Sequence, residues 1–195
     1  MVKRDKKEGA MKRAYLFFML AIFVMAMSHA AEEVSLVNPG LEADNPEPWY
    51  WWGDAGTGTY GVSESSHDGK KSVKIVADKG DYVPMGFLQD FDCSPEEEVT
   101  VSAWVMSPTS SPLTNSDAYV RLEFWGGEPF NIIKSYESPH VTGAFNWTNS
   151  TVSAKASEGT TKAKIGLFIW NPGTGHSGSV YFDDAKASKK GPVLF

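Results

Sequence analysis

Large aromatic side chains share alternate positions with charged or small polar ones in three short runs of this sequence. Trp104 stands in residues 99–106 (VTVSAWVM). Trp125 shares a row with Arg121 and Glu123 in 118–125 (AYVRLEFW), and Phe168 and Trp170 share one in 163–170 (AKIGLFIW). Gln89 lies in a fourth run. One side of a pyranose is a patch of C–H groups that stacks on indole or phenol rings, and its equatorial hydroxyls need planar donors and acceptors at the rim. Trp104, Trp125, Phe168 and Trp170 are the expected platform for such a ring. Arg121, Glu123 and Gln89 are the expected hydrogen-bonding groups. A second cluster, Trp49-Tyr50-Trp51-Trp52, lies between Pro48 and Gly53, which argues against a helix. In a strand it must divide, with Trp49 and Trp51 on one side and Tyr50 and Trp52 on the other. Trp52, beside Gly53 and the strand that follows, is expected inward; Trp49 and Trp51 are expected outward, at the edge of the binding face.

Catalytic constellations are harder to assemble. A glycosidase needs two carboxylates about 5–9.5 Å apart across a cleft. Glu123 lies on the aromatic face, and no outward carboxylate on a neighbouring core strand pairs with it. Asp54, Asp117 and Glu128 stay open as loop acids. His67, His140 and His176 fall in turn-like segments, none at spacing two or four from another, so no metal triad is visible. Cys93 has no partner thiol and no supporting base nearby, which reads as a quiet structural residue.

The elements that position these residues are strands. Apolar residues recur at spacing two in runs divided by Gly, Pro, Asn, Asp and Ser. Beside the three strong runs, weaker strands are predicted at 34–37, 59–63, 72–77, 85–91, 147–154 and 179–185, about nine in all. That pattern predicts an all-β, two-sheet antiparallel β-sandwich of the jelly-roll kind. Residues 107–117 (SPTSSPLTNSD) read as a polar, mobile loop, and the aperiodic 186–195 reads as a frayed tail. Parity then sorts the strong strands. Val99, Val101, Ala103 and Val105 share one face; so do Ala118, Val120, Leu122 and Phe124; so do Ala163, Ile165, Leu167 and Ile169. Each opposite face carries a Trp where Thr, Lys, Glu and Ser are usual, and so suggests a surface built to be covered.

The start of the chain reads differently. Residues 1–13 are basic, 14–27 almost wholly apolar, and Ser28-His29-Ala30 places small residues before a predicted cleavage after Ala30. Fourteen apolar residues fall short of the ~20 that span a bilayer, so a signal-peptide helix is expected and the product is secreted or periplasmic. Domain 31–188 follows, with 189–195 as a flexible tail. Of the 18 basic and 24 acidic residues, six and two lie in the leader, leaving 12 against 22, a net charge of −10. An acidic domain without a basic stripe excludes nucleic acid and an anionic membrane as expected partners. With one cysteine no intrachain disulfide forms despite export, so stability must come from the core and from any bound metal. A monomer is expected.

Several motifs, in order, resemble those of the carbohydrate-binding modules of families 4, 9, 16 and 22, which have a galactose-binding-like jelly roll. "LVNPGLEADNPEPW" (36–49) is similar to that group's opening Asn-x-Gly-Phe-Glu and Trp stretch, with Leu41 where Phe is usual. "SHDGKKSVKI" (66–75) is similar to its His-Ser-Gly-Lys-x-Ser-Leu turn and strand. "FLQDFDCSPEEEVTVSAWVMS" (87–107) resembles its Gln strand, proline turn and Ser-x-Trp-Val strand, although Ser94-Pro95-Glu96 lacks the Pro-Gly turn. "GSVYFDDAK" (178–186) resembles its closing strand. The resemblance implies binding of β-linked polysaccharide or oligosaccharide without cleavage, in a module that accompanies glycoside hydrolases. It also implies a structural calcium, with Glu42 and Asp183 as carboxylates, Asp184 as a weaker candidate, and backbone carbonyls near Asn38 and Lys70. The open alternatives are a jelly-roll glycoside hydrolase or polysaccharide lyase, and an adhesion sandwich with no sugar ligand.

Overall fold

The computed structural model describes residues 30–53, 58–78, 83–127 and 131–191. The predicted leader, apart from Ala30, lies outside them. The unit Ala31–Pro192 contains, among the described residues, strands and no helix. In chain order these are β1 (Glu32–Val34), β2 (Tyr50–Trp52), β3 (Thr59–Ser63), β4 (Ser72–Val76), β5 (Val83–Asp92), β6 (Glu98–Ser107), β7 (Leu113–Trp125), β8 (Ile132–Glu137), β9 (Val141–Gly143), β10 (Phe145–Lys155), β11 (Lys162–Asn171) and β12 (Ser179–Lys190). One sheet runs β10-β6-β12-β4-β3, with β1 paired to β12. The other runs β2-β5-β11-β7-β8, with β9 paired to β7. Every pairing between these strands is antiparallel, and the fold is the expected β-sandwich.

The alternation read from the sequence is what closes the two sheets. Val99, Val101, Ala103 and Val105 of β6, with Ile75, Val180 and Phe182, form one aliphatic layer. Met85 and Phe87 of β5, Val120, Leu122 and Phe124 of β7, and Ile165, Leu167 and Ile169 of β11 form the facing one. Burying a side chain of this size contributes about 1.5–3 kcal/mol. Near-continuous cores of this kind explain how a chain with a single, buried cysteine holds together without a disulfide.

Three expectations need correction. β7 begins at Leu113, so the predicted loop shortens to its first half; Ser107, Leu113 and Ser116 are buried, because the polar residues of "LTNSD" lie at an edge pairing with β9. The predicted tail is strand as far as Lys190. Ala187 packs into the core, and Lys189 pairs with Glu32 of β1 and Val99 of β6. A register shift between Asp183 and Lys186, with Asp184 at a positive φ of 47°, breaks the alternation that would have revealed it. Finally, β2, β8 and β9 were not anticipated. They are short, lie toward the sheet edges, and bury little, so their hydrophobic pattern is weak.

Leu122 lies at the centre of this core with no exposure. Leu122→Ala is expected to lower unfolding stability by about 2–5 kcal/mol in a denaturant titration, with the slope unchanged.

Candidate functional site

The single aromatic face expected from parity is in fact two faces. Trp104 projects from β6, on the outer side of one sheet, whereas Trp125, Phe168 and Trp170 project from β7 and β11 in the other. Trp104 is half-buried and covered. The His67 ring stacks on it at 3.8 Å and 12°, and Trp147 meets His67 edge-on at 5.9 Å. It is therefore separated from the others by the full thickness of the core.

On the outer side of the β2-β5-β11-β7-β8 sheet, the middle is closed. Phe168 has no exposure at all. It lies across Gly166, where an added Cβ would sit 2.3 Å from its ring, so only glycine leaves room for it there. Leu88 and Tyr119 flank it, Trp170 packs against the group, and the Arg121 guanidinium lies 4.5 Å above the ring. Arg121 is held in turn. Its Nη2 donates to Glu137 Oε1 at 2.7 Å and to the Tyr119 hydroxyl at 3.0 Å, and its Nη1 to Glu123 Oε1 at 3.4 Å. The other oxygen of Glu123 accepts the Trp125 indole N–H at 2.8 Å. His140 completes the lid, stacked on Tyr119 at 4.2 Å with its ring nitrogens 3.0 Å from Asp117 and Glu137. Burial works against the charged form of Glu137, but hydrogen bonds from Arg121 and His140 outweigh it and hold its carboxyl below the usual range. Arg121, Glu123 and Phe168 are thus occupied with one another instead of facing a ligand.

Two more predicted contacts turn inward. Gln89 shares the parity of Met85 and Phe87. It sits 6 % exposed and clamps Val37, accepting its N–H at 2.7 Å and donating to its carbonyl at 2.8 Å. The aromatic run divides the opposite way from expectation. Trp49 is 2 % exposed, with its indole N–H on the Asn38 carbonyl at 3.1 Å. Trp51 pairs with Phe87 of the core face and stacks on Tyr60 at 4.5 Å. The outward pair is Tyr50 and Trp52, at 39 % and 38 % exposure.

That pair opens onto a groove of about 700 Å³ at one end of the sheet. Tyr50, Trp52 and Trp125 supply its aromatic walls; Asp90, Asp92, Lys162 and Lys164 supply its polar groups. The residues come from four adjacent strands through register alone. Leu88 pairs with Tyr50, Asp90 lies opposite Lys164, and Lys164 lies opposite Glu123. The Tyr50 hydroxyl donates to Asp90 Oδ1 at 2.8 Å, and Lys164 Nζ donates to the Tyr50 oxygen at 2.6 Å. Lys162 reaches the other Asp90 oxygen at 3.2 Å. Burial, then the bond to Asp90, pushes the Tyr50 phenol well above its ordinary value. Burial opposes the ionisation of Asp90, but the Tyr50 and lysine contacts prevail and keep it ionised. Of the predicted ligand residues, only Trp125 lines this groove. The parity of Gln89 was legible, since it alternates with Phe87 and Phe91; nothing local told Trp51 from Trp52.

Of the groups implied for calcium, both carboxylates meet the turn that holds Lys70. Glu42 Oε1 accepts the N–H of Lys70 at 2.8 Å and of Lys71 at 3.2 Å, beside Gly69 at a φ of 66° where a Cβ would clash with it. Asp183, wholly buried, accepts the N–H of His67 at 2.7 Å, Asp68 at 3.3 Å and Asp184 at 2.8 Å. Burial pushes its carboxyl up to about 6. Asn38 Oδ1 accepts the Ala43 N–H at 3.4 Å. Among the described residues no group of three His, Cys, Asp or Glu side chains gathers to hold a metal. The implied set has only two carboxylates, however, and neither Glu42 nor Asp183 pairs with an amine or guanidinium among those residues. Glu42 is exposed and Asp183 is buried; a buried carboxylate without a cationic side chain fits an oxygen-bound cation.

No family model and no curated protein sequence matches this chain. Solved structures do share its fold. A cyclase from Fischerella sp. TAU, in complex with 4-(1H-indol-3-yl)butan-2-one, is similar at a TM-score of 0.62 and 14 % identity, over 82 % of this chain and 98 % of that one. TmCBM61 in complex with β-1,4-galactotriose is similar at 0.53 and 22 %, over 78 % and 95 %. The CBM22-2 xylan-binding domain of Paenibacillus barcinonensis Xyn10C is similar at 0.54 and 15 %, over 76 % and 96 %. The enzymatically active domain of bacteriophage CBA120 tailspike protein 4 also matches, at 0.60 and 13 %, where 78 % of this chain corresponds to 21 % of that one. The fold is the jelly roll of carbohydrate-binding modules, and it also serves proteins with other activities.

Gly166→Ala would drive a methyl group into the Phe168 ring and force it from under Arg121. We expect a loss of about 1–3 kcal/mol in thermal or chemical unfolding, with the Tyr119 and Phe168 aromatic signals displaced.

Proposed function

We propose that this protein is a non-catalytic carbohydrate-binding module, and that it holds a β-linked glycan in the groove formed by Tyr50, Trp52 and Trp125. The observation that carries this is the pair of exposed rings beside a bound array of polar groups: Tyr50 and Trp52 are 39 % and 38 % exposed next to Asp90 and the two lysines. There, stacking surface and hydroxyl partners stand together on the sheet's outer side. Asp90 and Asp92 balance Lys162 and Lys164, so the groove is neutral in sum and suits an uncharged sugar. A glycosidase would need a carboxyl raised towards neutrality as its acid. Asp90, the best-placed acid, is held ionised by its neighbours instead. Binding modules of the same fold in complex with galactotriose, and one described as xylan-binding, support the assignment. Export through the predicted leader would place the module where polysaccharide is found.

Native electrophoresis through gels containing xylan, β-1,4-galactan or soluble β-glucan tests this directly. Retardation by at least one polysaccharide without release of reducing ends is expected. Trp52→Ala and Tyr50→Ala should each weaken it by about tenfold or more, from the loss of about 1–3 kcal/mol of stacking and buried area. Unchanged retardation in both variants would displace the site, and reducing ends would point to an enzyme.

We further propose a structural calcium held by Glu42 and Asp183 with carbonyl oxygens near Asn38 and Lys70. Bound there, the ion would supply the positive charge that two carboxylates without a cationic side chain lack. Melting before and after EDTA, then with calcium restored, checks it. A midpoint lowered by EDTA and recovered by calcium is expected; an unchanged midpoint removes the ion. The pH dependence gives a second sign. Without metal, Asp183 titrates near 6 in the folded protein against an ordinary 3.8, so its contribution to stability is complete at low pH and is lost as pH rises through about 6. EDTA-treated protein should therefore lose stability across that range, and calcium-loaded protein should not.

A further inference from the structure

Lys162 and Lys164 stand two residues apart on β11 and both line the groove, yet their amines have different surroundings. Lys164 Nζ lies 2.6 Å from the Tyr50 hydroxyl, 3.4 Å from Asp90 Oδ1 and 3.8 Å from the centre of the Trp125 ring. An ammonium has three N–H donors and no acceptor. One goes to the phenol oxygen, and a carboxylate and an indole face surround the rest of the charge. Lys162 Nζ meets Asp90 Oδ2 at 3.2 Å and lies farther from the Trp125 ring, at 5.9 Å, and its side chain is 41 % exposed. With one hydrogen bond and that exposure, it keeps donors for a ligand.

The position of Tyr50 explains why a committed amine matters. β2 presents Tyr50 and Trp52 from a three-residue edge strand, joined to β5 alone through the pairs Tyr50–Leu88, Trp51–Phe87 and Trp52–Gly86. The Tyr50 hydroxyl adds a second attachment. It donates to Asp90 on β5 and accepts from Lys164 on β11, tying the edge strand across two neighbours. The same ammonium rests on Trp125 of β7. One buried charge thereby links the aromatic walls on opposite sides of the groove. The elevated phenol of Tyr50 keeps that hydroxyl a donor throughout the working pH range.

We propose that Lys164 is a positioning residue that fixes the Tyr50–Trp52 wall against Trp125 before ligand arrives, and that Lys162 is the amine that contacts ligand hydroxyls. The assignment of Lys162 rests on the groove being a glycan site; that of Lys164 does not. Surfaces fixed in advance bind more tightly because less motion is lost on binding.

Two measurements on the full chain test this. In ligand-free protein, aromatic ¹H–¹³C NMR should show the Trp52 signals displaced in Lys164→Met and displaced the same way in Tyr50→Phe, which keeps the lysine. Lys162→Met should leave them in place. In titration calorimetry with xylohexaose, cellohexaose and β-1,4-galactotriose, Lys164→Met should weaken every oligosaccharide the natural protein binds, by about tenfold and by a similar factor for each. Adding Tyr50→Phe to it should cost less than about twofold more, because both changes break one link. Lys162→Met should instead alter the ranking of the three sugars. Trp52 signals unmoved by Lys164→Met would overturn the positioning role, whether or not a sugar binds. A ranking untouched by Lys162→Met would overturn its contact role. Failure of the natural protein to bind any of the three would remove the glycan reading and Lys162's part in it, while the NMR comparison still decides Lys164.

Discussion

β11 hydrogen-bonds along its length to β5 on one side and to β7 on the other, and this double register decides which side chains meet. With Ile165 opposite both Gln89 and Leu122, Met85 and Phe87 of β5, Val120, Leu122 and Phe124 of β7, and Ile165, Leu167 and Ile169 of β11 face the core, while Leu88 of β5 faces the outer side. The same alignment sets Lys164 between Asp90 and Glu123 on the other side. A slip of one residue in either ladder would turn Ile165 and Leu167 to water and dismantle both sides together. The groove is therefore a consequence of core packing.

The outer side of that sheet has two regions with different physics. Its centre is a second small core of Leu88, Tyr119 and Phe168, roofed by Arg121 and His140 instead of by another sheet. Buried charges there are tolerable because each has partners: Arg121 reaches Glu137, Glu123 and Tyr119, and Glu123 also takes the Trp125 indole. The end of the sheet carries the same kinds of residue but remains open. There the edge strand β2 presents Tyr50 and Trp52 outward, at 39 % and 38 % exposure.

Much of the fold was visible in spacing. Val99 to Val105, Ala118 to Phe124 and Ala163 to Ile169 alternate without interruption, because one side of each strand meets only hydrocarbon. Where partners replaced hydrocarbon, the pattern failed. β8 is exposed over much of its length, and β12 carries a register shift in its middle. The family resemblance drew Glu42, Asp183 and the 66–71 turn towards one place, and they are neighbours in the folded chain. The aromatic site was less legible. Of the expected ligand residues only Trp125 lines the groove, whose other walls and lysines were not among them, and Arg121, Glu123, Gln89, Phe168, Trp49 and Trp51 are occupied within the protein.

Period two in the sequence determined an all-β chain, the inward rows of its main strands and the excess of aromatics on their outer sides. Those are local properties, set by which way each side chain leaves its own backbone. Which rows share a sheet was decided only by tertiary pairing: Trp104 belongs to one side of the sandwich, and Trp125, Phe168 and Trp170 to the other. So was the division of Trp49-Tyr50-Trp51-Trp52. Alternation fixes that the four rings split in pairs, but either pair could face the core. Contact of Trp51 with Phe87 sends the odd pair inward and leaves Tyr50 and Trp52 to the groove, because a side chain's face is chosen by the strand it pairs with, far away in the chain.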